Sequence, residues 1–213
     1  LIWLQEINPP LADEFIIMTK FILGRKLGMT TIYDQNLGAL NVTLIECEPN
    51  LVSLIRSLEK DGYKAIQIGI AKSKVKSQKS KGKKFDKVKE FRTEAGELKA
   101  GDNLDISQFE VGDKVKVSGI TKAKGFQGVM KRHGFKGSPH SHGHKHDWRA
   151  PGSIGAGFPE HVIKGKKMAG RMGGKRASTK NLKVVYIDKE KKLLGVKGAV
   201  PGVAGRIVEI LAN

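Results

Sequence analysis

The sequence predicts a mainly β protein with some α: one β domain built from strands on both sides of a long, basic, Gly-rich central extension. Three observations lead there. Short β-branched runs bounded by turn residues recur in the early and the late parts of the chain. Between them, residues 119 to 180 hold 13 of the 26 glycines and all six histidines, with few β-branched residues. Cations crowd the same stretch, with 14 Lys and Arg against Asp147 and Glu160 alone.

Val42–Glu46, Val52–Arg56 and Ala65–Ile70 are β-branched and apolar. The second and third are separated by Leu58–Gly62, where Asp61-Gly62 is a tight-turn dipeptide. In Val111–Ser118, Gly112-Asp113 makes a turn, and Val115 and Val117 then alternate with lysines as in a half-buried strand. Leu182–Ile187 and Leu193–Val196 flank a polar Asp188–Lys192 turn and read as a hairpin, and Ile207–Leu211 supplies one more strand. Many short strands of this kind fit a small barrel or a sandwich. Ala123–His133 alone has a helical pattern, through Phe126, Val129 and Met130. The rest of the 119–180 stretch has too little apolar surface to offset the entropy lost on ordering it. The expected organisation is a segment 1–17, a discontinuous β domain over 18–118 and 181–213 with a basic excursion at 72–89, and an extended arm over 119–180.

Charge restricts the function. The formal net charge is +18, and residues 72 to 89 add nine Lys against Asp86, whereas the remaining residues carry 16 cations and 18 acids. A nearly neutral body with two cationic segments calls for a polyanion, since such segments repel themselves. Nucleic acid is the expected partner. No apolar run approaches the roughly 20 residues of a membrane span, so no membrane partner is expected. Leu1–Ile17 is broken by Pro9 and Pro10 and carries acids, unlike a secretory signal, so the chain is expected to stay in its compartment of synthesis. Cys47 is alone, which excludes an internal disulfide and fits a buried, inert thiol in a reducing compartment.

Lys164-Gly165-Lys166-Lys167-Met168-Ala169-Gly170-Arg171-Met172-Gly173-Gly174-Lys175-Arg176 alternates cations with glycines. Glycine lets backbone approach a phosphate closely, and Arg forks onto phosphate or stacks on a base. The glycine spacing before Lys175 is not that of a P-loop. His140, His142, His144 and His146 alternate, so a metal site is conceivable on an extended chain, but neighbouring Lys145 and Arg149 favour contacts to RNA phosphates and ribose. Paired carboxylates are missing, Asp147 beside His146 is no triad, and Ser138, Ser141 and Ser153 lack a nucleophile elbow. No enzyme, cofactor, metal or small-molecule substrate is expected. A general nucleic-acid-binding or chaperone protein would use the same cations and stands as the alternative.

Phe21-Ile22-Leu23-Gly24-Arg25-Lys26-Leu27-Gly28-Met29-Thr30, the run Gly119–Arg132, Ser141-His142-Gly143, Pro151-Gly152-Ser153-Ile154-Gly155, Lys164–Gly170 and Val196-Lys197-Gly198-Ala199-Val200-Pro201-Gly202 occur in this order. Together they resemble the bacterial-type large-subunit ribosomal protein L-three family, from Met18 to the end of the chain. The resemblance implies a translation-protein-like β-barrel with a long basic central extension, located in the cytoplasmic ribosome. It further implies binding of large-subunit rRNA near its 3′ end, a role in early subunit assembly, and neighbouring large-subunit ribosomal proteins as partners. Lys122, Lys124, Lys131, Arg132, His142, Lys145, Arg149, Lys164, Lys166, Lys167, Arg171 and Arg176 are then expected to line rRNA. Trp148, Arg149, Pro151, Gly152 and Ser153 would form the tip directed toward the peptidyl transferase centre. Ala156 stands where some members carry a methylated glutamine, and Gln127 belongs to another motif. Leu1–Ile17 matches nothing in the family.

Overall fold

The computed structural model describes residues 20–35, 37–71, 85–93 and 98–212. The segment 1–17 and most of the expected 72–89 excursion lie outside the described residues. The mainly β expectation holds. In chain order the strands are β1 (Phe21–Asp34), β2 (Gly38–Glu46), β3 (Asn50–Arg56), β4 (Ala65–Ala71), β5 (Phe85–Phe91), β6 (Asn103–Leu104), β7 (Lys114–Ile120), β8 (Phe126–Gln127), β9 (Gly170–Arg171), β10 (Arg176–Asp188), β11 (Leu193–Lys197) and β12 (Ile207–Ala212). Two short helices accompany them, α1 (Leu58–Asp61) and α2 (Val129–His133).

Alternation decides how these strands layer. On β12, Val208, Ile210 and Ala212 are buried while Ile207, Glu209 and Leu211 take the other face. The first set joins Ile22, Val115, Val117, Val184, Leu194 and Val196 in one core. This core fills the inside of a ring in which β1, β12, β7, β10, β11 and β2 pair in that order and close on themselves. The other face of β1 and β12 packs on a second sheet of order β5-β4-β3-β6, where Phe21 and Leu23 meet Val52, Ile66, Ile68 and Ile70. Each such aliphatic side chain taken out of water contributes on the order of 1.5–3 kcal/mol before entropy is subtracted.

Polar groups fasten the two layers. Asn50 is fully buried and its amide donates to the Leu23 carbonyl at 3.0 Å. Lys26 Nζ donates to the carbonyls of Val200 and Gly202 at 2.8 and 3.0 Å. Gly202 has φ +107, and Gly119 sits so close to the Pro201 carbonyl that a Cβ would come within 2.9 Å of it. Motifs from the start, middle and end of the chain therefore meet at one corner of the ring. Cys47 is buried and its thiol is pushed up to about 12, chiefly by burial.

Several expectations shift. Ala123–His133 is helical only over α2, because Phe126 and Gln127 pair with Arg171 and Gly170 instead. Residues 85–89, the end of the expected basic excursion, instead belong to β5 on the edge of the second sheet, anchored by Phe91 stacking on Phe21 with ring centroids 4.8 Å apart. The turn at Gly112-Asp113 and the strand after it stand as expected, with β7 beginning at Lys114. At the 119–180 boundaries, Gly119 and Ile120 still belong to β7, and β10 begins at Arg176. Main-chain pairing between these two strands outweighs the polar, glycine-rich composition of their ends.

Candidate nucleic-acid interface

The β7–β10 ladder does not stop at its last pair, Ile120 with Arg176. Thr121 N–H donates to the Lys175 carbonyl at 2.9 Å, and the Thr121 hydroxyl accepts from Lys175 N–H at 3.3 Å. Lys124 N–H then donates to Met172 O, and Met172 N–H to Gly125 O, both at 2.9 Å. Beyond these, β8 and β9 pair. The two chain segments thus leave the ring side by side, with Lys122, Lys124, Arg171 and Lys175 exposed along them. Gly173 is required here. Its φ is +73, and a Cβ would collide with the Lys122 carbonyl across the pair.

Helix α2 follows and ends at Gly134, which has φ +74. Val129 is the one buried residue between 121 and 175. Lys131 is exposed, whereas Arg132 turns inward: its guanidinium donates to the Met168 carbonyl at 2.6 Å and lies over Gly170. The His133 ring meets the same carbonyl at 3.0 Å. Of the residues expected to face rRNA, Arg132 therefore holds the outgoing and returning segments together.

Residues 137 to 150 form a compact loop. Ser138 N–H donates to Trp148 O at 3.2 Å, and Gly137 (φ +77) leaves no room for a Cβ beside that carbonyl. The Trp148 indole N–H donates to Lys145 O, and the His140 ring tilts against the indole with centroids 4.8 Å apart. His142 takes a left-handed φ of +59 and is exposed, as are Lys145, His146 and Arg149. Among the described residues, no three His, Cys, Asp or Glu side chains converge in a metal-holding group. Pro151, Gly152 and Ser153 open a wholly exposed stretch that runs to Lys167, in which the Ser153 hydroxyl donates to Gly155 O at 2.9 Å. Lys164, Lys166 and Lys167 lie exposed on the returning side.

The electrostatics of this stretch are one-sided. Twelve Lys and Arg lie between residues 121 and 175 with Asp147 and Glu160 as the only acids. Among the described residues, none of these twelve forms a salt bridge. Arg176, expected in the same group, stands on the ring wall and is ion-paired with Glu209. Apolar residues that the sequence did not mark as candidate contacts are exposed here too: Phe126 is 75% and Phe158 87% exposed, with Ile154 and Ile163 also open. A composition count misses them, because it averages apolar residues over a segment and cannot tell which ones lack a neighbour to cover them. Unneutralised cations, open glycine backbone and uncovered rings are the groups that engage phosphates and stack on unpaired bases.

Comparison with known proteins supplies the lineage. Residues 55–199 match the ribosomal protein L3 family. The large ribosomal subunit protein uL3 of Chloroherpeton thalassium is 44% identical over 204 residues, covering 90% of this chain and 98% of the relative. The protein of that name from Leifsonia xyli is 49% identical over 199 residues, with 88% and 91% covered. The one from Streptococcus pyogenes serotype M1 is 43% identical over 204 residues, with 91% and 96% covered. A match over most of the chain at these identities leaves one conclusion: the chain belongs to the ribosomal protein L3 family.

Proposed function

We propose that this protein is a structural, non-enzymatic constituent of the large ribosomal subunit in the cytoplasm, working among rRNA and neighbouring ribosomal proteins. The family and the names of its relatives support this reading. More finely, the closed ring is read as a translation-protein-like barrel over 18–118 and 181–213 that docks on rRNA near its 3′ end and helps nucleate assembly. Residues 119–180 are the arm that penetrates rRNA toward the peptidyl transferase centre, with Trp148, Arg149, Pro151, Gly152 and Ser153 at its tip. Lys122, Lys124, Lys131, His142, Lys145, Arg149, Lys164, Lys166, Lys167 and Arg171 bind rRNA along the way, with Arg132 and Arg176 in the same set.

One observation carries the reading: a 121–175 stretch with a single buried side chain and twelve cations that, among the described residues, form no salt bridge. Each phosphate neutralised by such a cation releases condensed counterions, so affinity falls steeply with salt. Recognition runs through RNA shape, backbone and 2′-hydroxyls rather than base sequence. The test is retention of a large-subunit rRNA fragment against duplex DNA of equal length over a salt series. Preference for the rRNA fragment, and sedimentation of the chain with large-subunit particles, are expected. Equal binding of both polymers without particle association would favour the general nucleic-acid chaperone instead.

A further inference from the structure

At the root of the arm, where the second sheet parts from the ring, lies a cavity of about 320 Å³. Its charged lining is Arg25, Lys87, Lys89, Arg176, Arg206 and Glu209. Register explains how they meet. Leu23 of β1 pairs with Glu209 of β12, and Arg25, two residues on, pairs with Ile207. On β5, Phe91, Lys89 and Lys87 pair in turn with Ile66, Ile68 and Ile70, residues whose side chains face the ring. The interface between the sheets thus begins as an apolar seam at Phe21 and Phe91, and becomes cationic toward the arm.

Glu209 lies at the transition, 15% exposed, with Lys89 Nζ at 2.9 Å and Arg176 on its other oxygen. That carboxylate uses up two of the five cations. Arg25 donates from Nη1 to the Gly205 carbonyl at 3.2 Å, and among the described residues the acid beside it is a half-exposed Asp86 at 3.5 Å, a pair of little worth in water. Among the described residues, no acid pairs with Lys87 or Arg206. Lysines facing inward on an edge strand also guard against strand pairing with another molecule. That explanation covers Lys87 and Lys89 but not Arg25 and Arg206, which come from the opposite wall.

We infer that this cleft seats consecutive phosphates of an RNA backbone, a second anchor on the barrel beside the arm; the inference rests on the ribosomal reading above. RNA is favoured over an acidic protein by continuity. Ile120 and Arg176, the last ring pair before the arm, line the cleft, so one cationic track runs from Arg206 and Lys87 to Lys122 and Arg171. The Arg25 guanidinium, held in place by the Gly205 carbonyl, adds its charge and its remaining N–H donors for phosphate oxygens.

The test uses the full chain and a large-subunit rRNA fragment over a salt series. Arg25→Gln, Lys87→Gln and Arg206→Gln combined are compared with Lys60→Gln, Lys114→Gln and Lys191→Gln, which remove equal charge elsewhere. The cleft variant is expected to bind about tenfold more weakly than the control variant, with a salt slope shallower by about 2. In the unaltered chain, acetylation of Lys87 is expected to slow at least about threefold when RNA is bound, since each phosphate contact buries the amine. Equal affinity and slope for the two variants, or a Lys87 equally reactive with and without RNA, would overturn the cleft; an acidic protein partner would give that second result. Should the unaltered chain fail to retain rRNA at all, the ribosomal reading falls, and the cleft with it.

Discussion

The strand ring and the 121–175 stretch are parts of one chain that meet opposite conditions. In the ring, Ile22, Val117, Leu194 and Ile210 are sealed inside, and main-chain groups pair from strand to strand around the closure. In the stretch, Val129 alone is buried, and order comes from backbone bonds at the root, α2, the Arg132–Met168 link and the Trp148 loop. Burial stabilises the first without help. The second has its shape drawn by glycines and a few hydrogen bonds, and its charge waits for a partner. The lesson is that order and stability are separable: a segment can have a defined path while contributing little to the free energy of folding.

The contrast is sharpest for large-to-small substitutions. Leu194→Ala should lower stability by about 2–5 kcal/mol in urea denaturation, whereas Ile154→Ala should stay within about 0.5 kcal/mol. A comparable loss at Ile154 would mean that the tip packs as a core does. Deleting 121–175 with a short glycine linker joining Ile120 to Arg176 should leave the cooperative unfolding transition in place and remove most rRNA affinity. A non-cooperative melt would break the comparison from the other side, by making the stretch part of the folding unit.

Gly173→Ala acts at the junction, forcing a Cβ onto the Lys122 carbonyl at φ +73. A cost of about 1–3 kcal/mol is expected, appearing mainly as faster amide exchange at Thr121 and Lys124. Global stability should change less.

Acid titration probes the ring wall. Burial alone would raise the Glu209 carboxyl, but the bonds from Lys89 and Arg176 outweigh it and hold it below its ordinary range. Asp113 is lowered too, first by the Glu110 backbone N–H and then, against burial, by Lys20 at 3.0 Å. A carboxyl lowered in the folded state contributes stability that is fully present above its unfolded pKa and is lost as pH falls through the folded one. Stability should therefore decline with acid beginning near the ordinary carboxylate range, and Glu209→Gln should make that decline shallower in urea denaturation across the acid range. An unchanged acid limb in the variant would remove Glu209 from this account. Arg132→Gln should act more locally, costing about 0.5–1.5 kcal/mol for one lost bond, read as amide exchange around Met168 and Gly170.

Much of the ring was legible because alternation is a local property. Val115 and Val117 between lysines, or Leu193–Val196 after a polar turn, advertise a strand with one buried face. The long β1 was less legible from pattern, since Leu27 to Tyr33 leave the ring as an exposed hairpin without clean alternation of apolar and charged residues. β5 was hidden by its lysines, which read as part of a charge run although Lys89 faces inward to a carboxylate 120 residues away in the chain. For the candidate interface, Lys122, Lys124 and Arg171 stood out through charge and glycine spacing. The inward turn of Arg132 and the Glu209 clamp on Arg176 did not, because nothing in a cation's identity says which neighbour it will find.

Residue order alone was enough to establish strand content, the near-neutral body and the excess of cations in its middle, and to raise the expectation of a polyanionic partner. Each follows from side-chain chemistry and short-range periodicity. Tertiary structure alone decided that β1 pairs with both β12 and β2, that Lys26 caps the turn at Val200 and Gly202, and that Arg25, Lys87 and Arg206 open onto one cleft. Those contacts join residues far apart in the chain, and they depend on strand register and loop closure, which no local pattern encodes.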